Sequence, residues 1–154
     1  MKKQYLQHVR LIERLHRQFL EVVKNTLDII GIEDINSIQS LILFNIADQE
    51  MTVGDLTKSG YYLGSNVSYN VSRLAQNGYL EQNRSTNDRR SVKIRLSEKG
   101  RELCNNIDNM VDEHLKILEG TRTVTNEKLD TSLDVLYQIE DFWSDLARPK
   151  RVFR

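Results

Sequence analysis

The chain has 154 residues, 39% of them hydrophobic and 29% charged, and a formal net charge of zero. That is one domain's length with enough apolar surface for a core. No apolar run approaches the roughly 18 residues that cross a bilayer, so no membrane partner is expected.

The first element is an amphipathic helix from about Gln4 to Ile30, in which Leu6, Val9, Ile12, Leu15, Phe19, Val22, Val23 and Leu27 recur at three- and four-residue steps until Gly31. It is longer than a compact domain can cover, so part of its stripe is expected to pack elsewhere. Asn36 and Gln39 have capping-box spacing ahead of a mostly buried helix, Ile38 to Ile46, that stops near 47–50. Met51 reads as a brief strand residue, and Thr52 as the cap of a short helix, 53–58, with Asp55 favourable in its first turn. A helix from about Ser65 to Gln76 follows, apolar at Val67, Val71, Leu74 and Ala75, and Asn77-Gly78 is a left-handed stop.

Two arms then flank a turn: Tyr79-Leu80-Glu81-Gln82, and Val92-Lys93-Ile94-Arg95-Leu96, which alternates apolar and basic residues as a half-buried strand does. Between them Ser85-Thr86-Asn87-Asp88 is a cluster of turn formers. Ser97 caps a long helix, 98–119. A break near 120–123 and a cap at Thr125 introduce a last helix that ends before Pro149. The predicted fold is mainly α with a small β-wing: a winged helix-turn-helix over about 36–97, joined by the 98–119 helix, with long helices over about 4–30 and 125–147 at either end of a single 1–154 domain.

Charge is unevenly spread. Residues 58–101 carry nine bases (Lys58, Arg73, Arg84, Arg89, Arg90, Lys93, Arg95, Lys99, Arg101) against Glu81, Asp88 and Glu98, a local +6. Residues 105–147 carry ten acids against Lys116, Arg122 and Lys128, a local −7. A phosphate-binding surface needs such a local excess, because the attraction acts over a Debye length of about 8–10 Å. The 65–76 helix turns Ser65, Asn66, Ser68, Tyr69, Ser72 and Arg73 away from its apolar side, and hydrogen-bonding groups on a helix that fits a groove about 12 Å wide can read bases. Its serines have a second reading, as phosphate contacts or ordinary polar surface. In the hairpin, Arg84, Arg89 and Arg90 are held out with Asp88, which is a turn former in its own right.

The element order, together with Asp88-Arg89-Arg90-Ser91-Val92-Lys93-Ile94-Arg95-Leu96-Ser97-Glu98-Lys99-Gly100, resembles the MarR family of bacterial winged-helix transcription regulators over nearly the whole chain. The resemblance implies a homodimer in which the terminal helices interlock and the winged domains reach a pseudopalindromic DNA duplex. It assigns Arg90 to the minor groove, Asp88 to bracing the wing, and the 65–76 helix to recognition. It also implies a small-molecule effector as a further partner, in a pocket near His16, Phe19, Phe44 and Tyr61. Core packing is the other reading of those side chains, and Tyr61-Tyr62 equally suits bracing the turn before the recognition helix. The paired tyrosines of Ser59-Gly60-Tyr61-Tyr62-Leu63-Gly64 depart from many members; this wording is similar to an alphaproteobacterial subgroup, some of whose members regulate cell-wall remodelling.

The remaining features point to little chemistry. Cys104, the single cysteine, agrees with a reducing compartment and sits beside an apolar stripe, which suggests packing ahead of redox sensing. His8, His16 and His114 lack metal-ligand spacing, no catalytic or phosphate-loop constellation occurs, and no cofactor or enzyme activity is expected. The start, Met1-Lys2-Lys3-Gln4-Tyr5-Leu6-Gln7-His8, lacks a secretory apolar stretch, so a cytoplasmic location is expected. The rival to a DNA-binding regulator is a winged-helix module whose arginines meet an acidic protein.

Overall fold

The computed structural model describes residues 1–58, 64–84 and 92–147, with the backbone alone at 64, 65 and 84. They form two compact units, one over Met1–Met110 and a second that begins at Val111.

In the first unit, α1 spans Lys2–Ile29. It ends in a Schellman cap, with Gly31 N–H donating to the Asp28 carbonyl and Ile32 N–H to that of Leu27. Only Val23 and Leu27, in its last two turns, are buried. Leu6, Leu11, Leu15 and Phe19 are exposed. The packed end meets α2 (Ser37–Ile46), whose first residue, Ser37, donates its hydroxyl to the Leu20 carbonyl at 2.9 Å. The capping box forms: Gln39 N–H donates to Asn36 Oδ1 at 2.9 Å, and Asn36 N–H to Gln39 Oε1 at 3.1 Å. Ile42, Leu43 and Ile46 are wholly buried, each contributing on the order of 1.5–3 kcal/mol.

β1 (Met51–Thr52) leads into α3 (Val53–Lys58) through a second reciprocal cap. Asp55 N–H donates to Thr52 Oγ1, while Thr52 N–H and hydroxyl both donate to Asp55 Oδ2. Asp55 therefore does more than favour the helix dipole, and these bonds from Thr52 hold its carboxyl below the usual range.

α4 (Gly64–Gln76) buries Val67, Val71 and Leu74. Gly78, at φ 79°, lets Tyr79 N–H reach back to the Leu74 carbonyl and closes a second Schellman cap. The expected first strand begins one residue late: β2 is Leu80–Arg84, and Tyr79 precedes it with its ring buried in the core. β3 (Val92–Leu96) lies between β1 and β2, antiparallel to both, with Leu80 opposite Leu96 and Met51 opposite Ile94. Ile94 and Leu96 point to the core while Lys93 and Arg95 point out, the alternation expected of a one-sided strand.

α5 (Glu98–Thr121) starts under its cap, Gly100 N–H donating to Ser97 Oγ at 3.1 Å, and buries Gly100, Leu103, Ile107 and Met110 before running into the second unit. The break falls at Arg122, φ 54°. Thr125 Oγ1 accepts from Lys128 N–H at the start of α6 (Asn126–Ala147), which has no buried residue.

Candidate nucleic-acid interface

α4 presents two faces because its apolar positions fall three and four apart. Asn66, Ser68, Tyr69, Ser72 and Arg73 are all exposed, Tyr69 to 64%. Asn66, Tyr69 and Arg73 follow one stripe, with Ser68 and Ser72 one turn apart beside it. The Ser65 side chain lies outside the described residues.

Polar links fix how that face is turned. Gln39 of the capping box also donates from Nε2 to Asn70 Oδ1 at 3.1 Å, and Asn70 Nδ2 donates to the Asn66 carbonyl at 2.8 Å. Sequence reasoning missed Asn70. Its place at the border of the Val67/Val71/Leu74 stripe is the signal that could have found it. At the far end of α4, Asn77 Nδ2 donates to the Asp34 carbonyl at 2.7 Å.

The wing's arms are present in β2 and β3, with Arg84 paired to Val92 in register. The Arg84 side chain and the residues Asp88, Arg89 and Arg90 lie outside the described residues. Among the described side chains, three of the bases behind the local +6 have acid partners: Lys93 with Glu50 (3.1 Å), Arg95 with Glu81 (2.6 Å) and Lys99 with Asp34 (2.9 Å). Glu50 and Asp34 come from outside the 58–101 segment, so its count overstates the field there.

Of the side chains expected at an effector pocket, Phe44 lines a cavity of about 580 Å3 with Ala47, Asp48, Leu96, Arg101, Cys104, Asn105 and Asp108. His16 and Phe19 are exposed on α1 and are not among its walls; Tyr61 is outside the described residues. Burial first, and then the Asp48 carboxylate, push the Cys104 thiol up to about 11. Among the described residues no cluster of His, Cys, Asp or Glu could hold a metal ion, and no helix is long and apolar enough to cross a membrane.

A polar-faced helix, α4, that follows the short helix α3 in the chain, together with a three-stranded antiparallel sheet, defines a winged helix-turn-helix protein. Residues 33–91 match the MarR family. The exopolysaccharide II synthesis transcriptional activator ExpG of Rhizobium meliloti is 36% identical over 145 residues, 94% of this chain and 74% of that protein. The chain belongs to the MarR family, and as a member it is a DNA-binding transcription regulator, not an enzyme. The fold is also that of Streptococcus pneumoniae FabT in complex with DNA (20% identity, 92% of this chain and 99% of that one, TM-score 0.72). It is shared as well by Staphylococcus aureus MarR in complex with salicylate and kanamycin (18% identity, 94% and 95%, TM-score 0.76).

Proposed function

We propose that this regulator acts in the cytoplasm as a homodimer on a pseudopalindromic promoter site. The exposed polar face of α4 carries this reading: Asn66, Tyr69 and Arg73 enter the major groove, Ser65, Ser68 and Ser72 set register on phosphates, and the wing contributes Arg84, Arg89 and Arg90 with Asp88 as brace. Arg90 takes the minor groove, where negative potential is strongest over A·T-rich sequence. The single domain divides its labour, with the winged part at about 36–97 and the terminal helices at about 4–30 and 125–147 serving dimerisation. In support, α1 leaves Leu6, Leu11, Leu15 and Phe19 exposed and α6 leaves Leu129, Leu133, Leu136 and Phe142 exposed, stripes that call for a partner. A two-fold dimer sets half-sites about 10–10.5 bp apart.

A small-molecule effector is the further partner, with Phe44 and the cavity it lines supporting that reading and His16, Phe19 and Tyr61 as additional candidate contacts. The R. meliloti relative makes activation of exopolysaccharide synthesis the first target to test. The Arg90 assignment is tested by fluorescence anisotropy on a duplex selected from random DNA. Arg90→Ala weakens binding by about tenfold or more at unchanged dimer mass; unchanged affinity refutes it.

A further inference from the structure

The turn between α1 and α2, the end of α4, the residue before β2 and the first turn of α5 meet at one aspartate. Asp34 accepts from three side chains: Asn77 Nδ2 at its carbonyl (2.7 Å), the Tyr79 hydroxyl at Oδ1 (2.7 Å) and Lys99 Nζ at Oδ2 (2.9 Å). Lys99 also donates to the Asn77 carbonyl at 3.0 Å, which closes the ring, and its ammonium stands 4.0 Å from the centroid of the Tyr79 ring. None of these residues lies on the exposed stripe of α4, so the cluster has no place in base contact.

The apolar side of α4 cannot do what this ring does. Val67, Val71 and Leu74 hold the helix on the core by contacts that have no preferred direction. A rotation of about 20° at a radius of about 5–6 Å moves a side-chain tip by about 2 Å, and a hydrogen bond tolerates only about 2.7–3.2 Å between heavy atoms. Directional bonds must therefore set the rotation, and at the C-terminal end of α4 they converge on Asp34. The Asp34 and Lys99 side chains are 44% and 50% exposed, so their pair adds little to stability while still fixing geometry.

We propose that Asp34 is a positioning residue for operator recognition: through Asn77, Tyr79 and Lys99 it locks the rotation of α4 relative to the root of the wing. This rests on the reading of α4 as the base-reading helix. Because Asp34 follows α1 by only five residues, the same ring ties the end of α1 to the reading face.

The test uses the full chain, a duplex selected with the wild-type protein and a random duplex of equal length, titrated over a range of salt. Asp34→Ala lowers affinity for the selected duplex by about tenfold and leaves the random duplex and the slope of log K against log salt unchanged. Loss of a carboxylate makes the protein more basic, so a mere charge effect strengthens both duplexes and overturns the proposal. Equal loss on both duplexes, or an unchanged selected duplex, also overturns it. Tyr79→Phe, which removes one bond and keeps the buried ring, shows the same split by about threefold and decides the matter if Asp34→Ala does not fold. Wild-type protein that binds both duplexes alike overturns the operator reading and this proposal with it, whereas discrimination retained by both variants overturns this proposal alone.

Discussion

Gly100 in the first turn of α5 lies so close to the Tyr79 carbonyl that a Cβ there would overlap its oxygen. That oxygen is held in place, because it accepts from Ser97 N–H at 3.0 Å. Neither backbone can retreat without opening the junction of α4, β2 and α5. Ser97 reinforces the junction by donating its hydroxyl to the Gly78 carbonyl at 2.6 Å.

Gly100→Ala is therefore destabilising by about 1–3 kcal/mol in urea denaturation, the cost of overpacking. The control is in the same helix: Gly120 has open space at its Cβ position, and Gly120→Ala stabilises by about 0.5–1 kcal/mol through helix propensity. Equal effects at the two positions contradict the close approach.

The capping box at the start of α2 is joined to α4 through Gln39, so its two members differ in consequence. Asn36→Ala removes a cap and costs about 0.5–2 kcal/mol, read from the denaturation midpoint. Gln39→Ala removes the reciprocal cap bond and also the donor to Asn70, leaving a half-buried amide short of a partner, and is the more costly of the two. A smaller loss at Gln39 contradicts the link.

At a pH near about 8, a thiol raised to about 11 carries a few hundredfold less thiolate than an ordinary cysteine near about 8.5. Labelling of native Cys104 by a thiol reagent is thus at least about tenfold slower than in urea, and Asp48→Asn speeds it. Native and unfolded rates that coincide contradict the burial.

Burial alone raises the Asp34 carboxyl, but the hydrogen bonds from Tyr79 and Lys99, with the Lys99 charge, outweigh it and hold it below the usual range. A carboxyl depressed on folding adds stability that is present above its unfolded value, about 3.9, and is lost as pH falls through the lower folded value. Half exposure keeps that share below about 1 kcal/mol. The stability difference between wild type and Asp34→Asn stays constant from about pH 7 to 5 and shrinks on acidification below about pH 4; a difference that persists at about pH 2 refutes the pairing.

Local signals were readable where a fixed offset carries the chemistry. Asn36 and Gln39 cap each other three residues apart, Gly78 closes the Leu74–Tyr79 bond, and Val92 to Leu96 alternates as a half-buried strand must. Contacts between residues far apart in the chain leave no such spacing to read. Tyr79 looks like a strand residue by type and position, yet it meets Asp34 45 residues away, and Lys99 does so across 65. The charge count of the basic middle overstates the field for the same reason, because Glu50 and Asp34 reach it only in the fold. Gln39 was legible as a cap but not as the support of Asn70, since one amide can serve two helices and the sequence records only the nearer.

Whether the polar face of α4 reads a defined duplex is decided by competition binding of the full chain between a duplex selected from random DNA and a scrambled duplex, at about physiological salt. The selected duplex is expected to win by about a thousandfold or more, and Asn66→Ala or Arg73→Ala to erode the preference by about 1–3 kcal/mol. Equal affinity for both duplexes, falling together as salt rises, would contradict base reading by α4.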